Sequence, residues 1–335
     1  MCGLQTSVVI PTYNRAELVC RAVESVLAAI GPDDEIIVVD DGSTDDTVAR
    51  LSALADTRIR IVFSPHRGAG TARNHGIAAA TKPLVAFLDS DDEWMADKLV
   101  LQRALMESRP DVLFCFSDFV SREPEGDQGH QLRRWHHDIR SWDEILGPGV
   151  SYSSLASLPE GRDDFRVHFG DMYLQEMLRD YIATFTLVVR REEAGNALHF
   201  AEDVATFEDW ECFARLARAG TAAFLDCETA WQYGHPGPRL TNATTLQRSA
   251  SRLRILERVW GADPAFLAHN EKAFRDLCAT HHQRLAAARL RGGEYRLARH
   301  ELRNIPAPFV LKAVALLPGP LVRAALALHD ILFAV

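Results

Sequence analysis

The first hundred residues alternate short apolar runs with segments of helical spacing, and this alternation restricts the fold more than any other feature. Four runs have the length of buried strands, at residues 7–10, 35–39, 58–63 and 84–88. Between them lie helical segments at residues 17–30, through Leu54 after a cap at Ser43 or Thr44, and at residues 70–80. Strands separated by helices predict βαβ units and a mostly parallel sheet of the α/β class. Ligands of such sheets bind beyond the carboxyl ends of the strands.

The pattern weakens after the fourth strand. Residues 118–179 hold Gly, Pro, Asp, His and Trp in a loop-like order. Strands are predicted at residues 182–190 and 222–225, and a helix at residues 207–219. Beyond residue 245 the apolar spacing predicts helices at residues 252–259, 264–290 and 294–304. We therefore expect one α/β domain over residues 1–244 and a helical region over residues 245–335.

Charge is distributed unevenly along the chain. The composition, 47% apolar and 25% charged, is that of a globular protein and argues against a disordered or fibrous chain. From residue 245 onward there are 14 basic and 7 acidic residues, whereas the preceding part holds 23 basic and 39 acidic residues. A basic tail behind an acidic domain suggests either internal packing or an anionic partner.

The ends of the chain and its cysteines favour a reducing compartment. The chain enters its first predicted strand at Ser7 without a basic and apolar leader, so we expect no signal peptide. Six scattered cysteines show no CxxC spacing, which is typical of free thiols. Lys312, Pro318 and Arg323 interrupt the most apolar stretch, so no spanning helix is predicted. We expect a cytoplasmic protein, with peripheral membrane attachment as an open alternative.

A cluster of carboxylates follows the fourth strand, where Asp89, Ser90, Asp91 and Asp92 stand in succession. Clustered carboxylates repel one another unless a cation neutralises them. Mg²⁺ and Mn²⁺ take oxygen ligands from carboxylates and substrate phosphates. In extended backbone Asp89 and Asp91 face the same way. A solvated acidic turn is the other interpretation, and the position at a strand end favours a metal site.

Three further polar segments precede predicted helices or follow predicted strands. Asp40 and Asp41 end the second strand and can accept hydrogen bonds from a ribose or a base, although a plain turn and helix start explains them equally. Tyr13, after the first strand, offers a face for stacking a base. Arg67 and Arg73 flank a glycine-containing stretch before a helix, where a phosphate could bind. The third glycine of GxGxxG is absent, which disfavours a dinucleotide site.

In their order and spacing, these segments resemble the inverting family 2 glycosyltransferases, which have the GT-A fold. The resemblance covers residues 5–100, resumes at Phe207, Glu208, Asp209 and Trp210, and continues over residues 231–241. It implies a Rossmann-like, mostly parallel central sheet with flanking helices, followed by a C-terminal helical region. The nucleotide-binding half would span about residues 1–117 and the acceptor-side half about residues 118–244.

The resemblance implies roles for individual positions. Contacts to the nucleotide-sugar are expected from Pro11, Thr12, Tyr13, Asp40, Asp41, Arg67, Arg73, Asp89 and Ser90. Metal contacts are expected from Asp89, Asp91 and His235. Asp209 matches the catalytic base and Glu208 its support, although acids also suit a helix start. Many members have an arginine two residues before the position of His235, where it would contact the pyrophosphate. This chain has Tyr233 instead, so a pyrophosphate contact from this strand is left open.

The implied reaction transfers one sugar from a nucleotide-sugar, with UDP as the expected nucleotide, to an acceptor hydroxyl with inversion at the anomeric carbon. Mn²⁺ or Mg²⁺ would act on the departing diphosphate. A glycan or lipid-linked glycan of bacterial envelope, exopolysaccharide or O-antigen synthesis is the expected acceptor. Two alternatives remain open: an inactive nucleotide-sugar-binding protein, and a nucleotidyltransferase, which would release pyrophosphate.

The basic tail has two interpretations. Its helices pack on the acidic domain, or residues 309–335 lie in a membrane interface. The apolar side in the second interpretation is formed by Leu311, Val314, Leu317, Leu321 and Leu328. Nucleic-acid binding is not expected, because no recognition motif or aromatic interleaving accompanies the basic residues.

Overall fold

The chain divides into two units in the computed structural model, which describes residues 3–123, 126–135, 139–233, 243–303, 305 and 309–322. The first unit comprises Met1–Glu202 and Glu208–Gly237, and it holds the β-sheet. The second comprises Asp203–Phe207 and Pro238–Val335, and its described residues beyond 243 are mostly helical. The domain boundary expected after residue 244 stays a prediction.

In the described residues, eleven strands form one mixed sheet in the order β3-β2-β1-β4-β10-β6-β11-β9-β8, with β5 on β11 and β7 on β6. The strands are β1 (Thr6–Thr12), β2 (Glu35–Asp40), β3 (Ile59–Phe63), β4 (Leu84–Phe87), β5 (Glu93–Trp94), β6 (Val112–Glu123), β7 (Gly126–Gln128), β8 (Val150–Ser151), β9 (Arg166–Gly170), β10 (Val188–Arg190) and β11 (Thr221–Tyr233). The first four are parallel, and β10 runs antiparallel between β4 and β6. Since β11 is parallel to β6, the predicted mostly parallel centre is confirmed.

Helices connect and flank these strands. They are α1 (Ala16–Ala29), α2 (Thr47–Ala53), α3 (Ala69–Ala79), α4 (Lys98–Ser108), α5 (Gln131–Trp135), α6 (Trp142–Leu146), α7 (Tyr173–Leu178), α8 (Arg191–Ala194), α9 (Glu208–Ala219), α10 (Thr245–Val259), α11 (Pro264–Arg291), α12 (Tyr295–Glu301) and α13 (Phe309–Leu316). Short 3₁₀ helices lie at Tyr152–Ser154, Thr184–Thr186 and Gly195–Ala197. The structure therefore has the flanking helices expected of the GT-A fold.

The centre of the sheet is apolar on both faces, as expected for parallel strands covered by helices. Every residue of β1 and β2 is buried. The close approach of α3 depends on Gly76, because a Cβ atom there would lie 2.3 Å from Val9 Cγ1. Within the described chain the cysteines are free thiols, as predicted: Cys20, Cys115, Cys212, Cys227 and Cys278.

The helix predicted from Ser43 or Thr44 begins later, so that prediction is wrong at its start. Asp46 is the N-cap residue and α2 starts at Thr47. The residues before it are held by the first loop, since Asn14 Oδ1 accepts the Thr44 N–H at 2.7 Å and Ser43 Oγ accepts the Asn14 N–H at 2.8 Å. These hydrogen bonds engage Ser43 Oγ and the Thr44 N–H with the first loop, so neither residue caps the helix.

The strand predicted at residues 182–190 is mostly wrong. Thr184–Thr186 is a 3₁₀ helix, and only β10 is extended. The Thr186 carbonyl oxygen accepts hydrogen bonds from Lys98 Nζ and Gln102 Nε2, both at 2.8 Å, rather than from a neighbouring strand. Side chains of α4 therefore stabilise this turn.

Residues 118–179 are more regular than predicted. β6 continues through Glu123 because β11 pairs with it as far as Tyr233. β8 and β9 form an antiparallel pair further on, and β9 adds to the free side of β11. Strands β6 to β9 thus carry part of the expected loop region into the sheet, and α5, α6 and α7 are short helical pieces within it.

The second unit has a core of its own. Its buried members are Ala286, Leu290, Ala298, Leu302, Ala315 and Val322. Leu311 and Val314 pack against this core, whereas Leu317 and Leu321 are exposed by 36% and 53%. The apolar side suggested for membrane contact is therefore partly packed into this core and partly exposed. Its last member, Leu328, lies outside the described residues. None of the helices described is long and apolar enough to cross a bilayer.

Candidate active site

The carboxyl ends of β1 and β2 meet at one edge of the sheet. Pro11 is in register with Val39, and Thr12 with Asp40. The Asp41 N–H donates to the Thr12 carbonyl oxygen at 2.9 Å, which extends the pairing past the end of β2. Thr12 Oγ1 is buried and makes no hydrogen bond within the described residues. The structure therefore brings together four of the residues predicted to bind the nucleotide.

Asp41 organises the loop before α3. Its Oδ1 accepts the Arg67 N–H at 3.2 Å and its Oδ2 accepts the Gly68 N–H at 2.8 Å. The His66 ring lies 4.3 Å from the Tyr13 ring between centroids, and Tyr13 remains 42% exposed. The backbone of Arg67, rather than its guanidinium, is what contacts Asp41. The sequence placed His66 at the start of the possible phosphate cradle but gave it no role of its own.

Two arginines neutralise the acids that follow β4. Arg73 Nη2 donates to Asp89 Oδ1 at 2.6 Å. Arg15 Nη1 lies 3.0 Å from Asp91 Oδ1 and donates to Ser90 Oγ at 3.1 Å. Burial raises the pKa of the Asp89 carboxyl, and Arg73 opposes that rise. Arg15 was missed by sequence reasoning, although it follows the Pro-Thr-Tyr-Asn turn at the same sheet edge.

The donor set at Asp89 and Asp91 fits a hard divalent cation. Both residues offer carboxylate oxygens, and the Asp91 side chain is 16% exposed. A cation bound there would take over the charge compensation that Arg15 supplies to Asp91. His235, the third predicted metal ligand, lies outside the described residues.

Asp92 connects this loop to the end of β11. It is buried, and its Oδ1 accepts the Tyr233 N–H at 3.0 Å. The Tyr233 hydroxyl donates to Glu93 Oε2 at 3.1 Å, and the Arg21 guanidinium lies 4.3 Å from the centre of its ring. Asp92 therefore fixes the position of the acidic loop, and Tyr233 lies beside a cation of α1.

Arg73 also joins the acidic loop to α9. It is buried, and its Nη1 donates to Glu208 Oε1 at 3.0 Å. Burial, together with the negative charge of Asp209, raises the pKa of Glu208, while Arg73 opposes this. One guanidinium thus holds a carboxylate of the proposed metal site and a carboxylate of the proposed catalytic pair in a single network.

Gly70 permits this contact. A Cβ atom at Gly70 would lie 2.6 Å from the Ala201 carbonyl oxygen and 3.2 Å from Glu208 Cγ. On the same helix, Asn74 Nδ2 donates to the Phe200 carbonyl oxygen at 2.9 Å, and its Oδ1 accepts the Phe200 N–H at 2.9 Å. The glycine considered as part of a phosphate cradle therefore lies where α3 contacts the start of α9.

Asp209 lies in the first turn of α9. Its Oδ1 accepts the Trp210 N–H at 2.8 Å, and its Oδ2 accepts a hydrogen bond from Thr184 Oγ1 at 3.2 Å. Both contacts hold its carboxylate in one orientation. Thr184 was not predicted, because it lies in the 3₁₀ turn that the sequence suggested was a strand.

Several known proteins resemble this chain in sequence or in fold. The family model described as "Glycosyl transferase family 2" matches residues 7–181. An uncharacterized glycosyltransferase of Nostoc sp. is 46% identical over 99 residues, which are 29% of this chain and 31% of that protein. The UDP-Glc:alpha-D-GlcNAc-diphosphoundecaprenol beta-1,3-glucosyltransferase WfgD of Escherichia coli is 36% identical over 101 residues, which are 30% of this chain and 40% of WfgD.

The matched segments therefore span less than half the length of these curated relatives. Among solved structures, a fragment of S. aureus TarS in complex with UDP-GlcNAc superposes with a TM-score of 0.63 at 16% identity, covering 97% of this chain and 88% of the fragment. At that identity the likeness concerns the fold alone.

Proposed function

The chain belongs to glycosyl transferase family 2, and from this premise we propose that it transfers one sugar from a UDP-sugar to an acceptor hydroxyl with inversion at the anomeric carbon. The observation that carries the proposal is the Arg73 bridge, which joins Asp89 at 2.6 Å to Glu208 at 3.0 Å. A transferase needs its leaving-group site and its proton acceptor at one place, and this bridge supports such an arrangement.

The nucleotide would bind beyond β1 and β2. Tyr13 offers a half-exposed ring for stacking the base, and Asp41 offers carboxylate oxygens for a ring N–H or ribose hydroxyl. Pro11, Thr12 and Asp40 would line the same edge. The name of the similar protein WfgD specifies UDP-Glc, which supports UDP as the nucleotide.

The diphosphate would lie next to the loop after β4. Asp89 and Asp91 would hold Mn²⁺ or Mg²⁺, which when bound neutralises negative charge on the departing diphosphate. Arg15 is placed to contact the diphosphate once it is released from Asp91. Ser90 and the exposed Arg67 side chain are further candidates for contacts to the nucleotide-sugar.

Asp209 is the proposed general base. Thr184 and the Trp210 N–H orient its carboxylate, and the Glu208 carboxylate accepts a hydrogen bond from Arg73. A carboxylate fixed in this way can accept the proton of an acceptor hydroxyl as that oxygen attacks the anomeric carbon. In this mechanism Glu208 is a positioning residue rather than a second base.

We place the acceptor in bacterial envelope or exopolysaccharide synthesis. The name of WfgD specifies a sugar linked to diphosphoundecaprenol, which supports a lipid-linked glycan acceptor here. Leu316, Leu317 and Leu321 are exposed by 73%, 36% and 53%, and they could contact the membrane that carries such an acceptor.

Flotation with anionic vesicles tests this membrane contact. The unsubstituted chain should float with the vesicles, and replacing all three leucines with serine should abolish flotation. Leu297→Ser, on α12, is the control, and equal flotation of all forms would contradict membrane contact.

Product analysis separates the proposed reaction from its alternatives. The full chain is first screened by thermal shift against nucleoside diphosphates with and without Mn²⁺, since a ligand of the native state raises the melting temperature. The matching nucleotide-sugars are then incubated with lipid-linked glycan acceptors. We expect UDP to give the largest shift and to be released with a glycosylated product. Release of pyrophosphate would indicate a nucleotidyltransferase, and binding without product over the acceptor panel would indicate an inactive binding protein.

A further inference from the structure

A buried carboxylate lies outside the proposed active-site residues, on β6. Asp118 is 1% exposed, and its Oδ1 accepts the N–H groups of Phe119 at 2.8 Å and Leu132 at 3.1 Å. Its Oδ2 is also buried, yet no hydrogen bond reaches it from the residues that the structure describes. Burying a charged oxygen without a donor is unfavourable, and proteins compensate such charges with ion pairs or metal ions.

Two further metal-binding side chains lie beside the Asp118 carboxylate. His130 and Asp226 each bring a ligand atom to the group, and the atoms of all three residues lie within 4.8 Å of one another. His130 Nδ1 is 3.9 Å from Asp118 Oδ2 and 3.5 Å from Glu228 Oε1. These separations exceed good hydrogen bonds. Metal bonds of about 2.1 Å in tetrahedral geometry would place ligand atoms about 3.4 Å apart, so small movements suffice.

The ligands come from three different elements. Asp118 lies on β6, Asp226 on β11, and His130 in the turn before α5. Glu228 holds the turn, because its Oε1 accepts the His130 N–H at 3.2 Å. A Cβ atom at Gly129 would lie 2.6 Å from that same oxygen, so a larger residue there would require the Glu228 side chain to move. His130 is 65% exposed on its side chain, which leaves the group open to solvent.

We propose that Asp118, His130 and Asp226 form a binding site for a divalent transition-metal ion, with Zn²⁺ as the preferred ion. An imidazole nitrogen combined with carboxylates suits Zn²⁺ better than Mg²⁺, which prefers oxygen ligands. The site is distinct in residues and chemistry from the oxygen-only pair Asp89 and Asp91. It goes beyond the proposed transfer reaction and does not depend on it. Its role is to hold the turn before α5 against the sheet.

Zinc titration of the whole 335-residue chain tests the site. An Asp91→Asn background removes a ligand of the other proposed metal site, so remaining binding reports on the new one. After chelator treatment, isothermal titration with Zn²⁺ should show about one equivalent in this background. Adding Asp118→Asn or His130→Asn should weaken binding at least about 100-fold, since each removes a ligand. Asparagine suits position 130 because His130 has a φ of 53°. His269→Gln, at an exposed position of α11, is the matched control and should bind as the background does.

Thermal melting separates lost binding from lost folding. Without zinc, Asp118→Asn should melt at or above the temperature of its parent, because asparagine keeps the shape and removes a buried charge. With zinc, the melting temperature of the parent should rise and those of both variants should not. Unchanged zinc affinity in the variants, absence of zinc binding by the Asp91→Asn chain, or an equal zinc-induced rise in all forms would overturn the proposal.

Discussion

At the scale of single residues, Arg73 determines how charge is balanced in the candidate site. The sequence placed a basic residue near the predicted phosphates, and the structure has its guanidinium between Asp89 and Glu208. The partner Glu208 lies 135 residues further along the chain, so no local pattern could identify it. The predicted contact between Arg73 and the nucleotide-sugar stays a prediction, while its Nη1 and Nη2 groups donate to Glu208 and Asp89.

Replacing Arg73 should destabilise the fold strongly. Arg73→Met leaves two acids, one of them buried, without their shared cation, and breaking a buried ion pair by removing one partner costs about 3 kcal/mol or more. Urea unfolding measures the change in the free energy of unfolding. Arg67→Met, at an exposed site in the same loop, should change that free energy by less than about 0.5 kcal/mol. Equal unfolding midpoints for the two variants would show that the bridge contributes nothing to stability.

The Thr184 hydroxyl should matter for turnover more than for binding. Thr184→Val removes the hydrogen bond to Asp209 while keeping the side-chain shape. Hydrogen bonds to charged groups contribute about 1.5–3 kcal/mol, which corresponds to a kcat lower by roughly 10-fold to 100-fold if the bond serves the transition state. Steady-state kinetics should show KM for the donor nearly unchanged. Thr184→Ser should retain most activity, and full activity of the valine variant would rule out the orienting role.

At the scale of elements, α3 and α4 hold the site in place through contacts that local patterns do not reveal. The sequence located both ends of α3 to within a residue, because the Ala-rich stretch ends at a clear strand signal. It could not show that Gly70 faces Ala201, since that contact depends on how the loop after residue 198 returns to the helix. The same holds for Lys98, whose contact with Thr186 explains why the predicted strand there is a turn.

A methyl group at Gly70 should separate α3 from α9. The added Cβ in Gly70→Ala meets backbone at 2.6 Å, which cannot move as a side-chain end can. We expect a loss of about 1–3 kcal/mol in the free energy of unfolding, as for other overpacked sites, together with reduced transferase activity. Gly292→Ala is the control, because its Cβ would find its nearest neighbours at 3.6 Å. Chemical denaturation of both variants provides the comparison, and equal stability would mean that α3 shifts freely.

Lys98 should make stability depend on pH. Burial lowers the pKa of its ammonium from 10.5 to about 7 in the folded chain. Between these values the unfolded chain binds more protons than the folded one, so the contribution of Lys98 to the free energy of unfolding rises as pH rises, by up to about 1.4 kcal/mol per pH unit. Lys98→Met should abolish this rise. Urea unfolding of both forms at about pH 7 and about pH 9 tests it, and parallel pH dependence would contradict the shift.

At the scale of the whole molecule, the sequence predicted the regular strand–helix alternation of the first hundred residues. It did not predict the strand pairing of the later, irregular part of the sheet. Four strands with helices between them specify a parallel sheet and the edge at which its carboxyl ends meet, so Thr12, Asp41 and Asp89 could be grouped in advance. The partnership of β6 with β11 joins strands about a hundred residues apart and breaks its register twice after Leu225. Such long-range and irregular pairing leaves no periodic signal, which is why Asp118 went unnoticed.

The central claim is that Asp209 is the general base of a sugar transfer carried out at the edge beyond β1, β2 and β4. The most direct measurement is kcat of Asp209→Asn in the presence of Mn²⁺, donor and acceptor, with donor binding followed in parallel by thermal shift. We expect kcat to fall about 100-fold to 10,000-fold, as for loss of a general base, with the donor-induced thermal shift retained. Asp276→Asn, on α11, should be fully active. Turnover of Asp209→Asn at the rate of the unsubstituted chain would contradict the assignment.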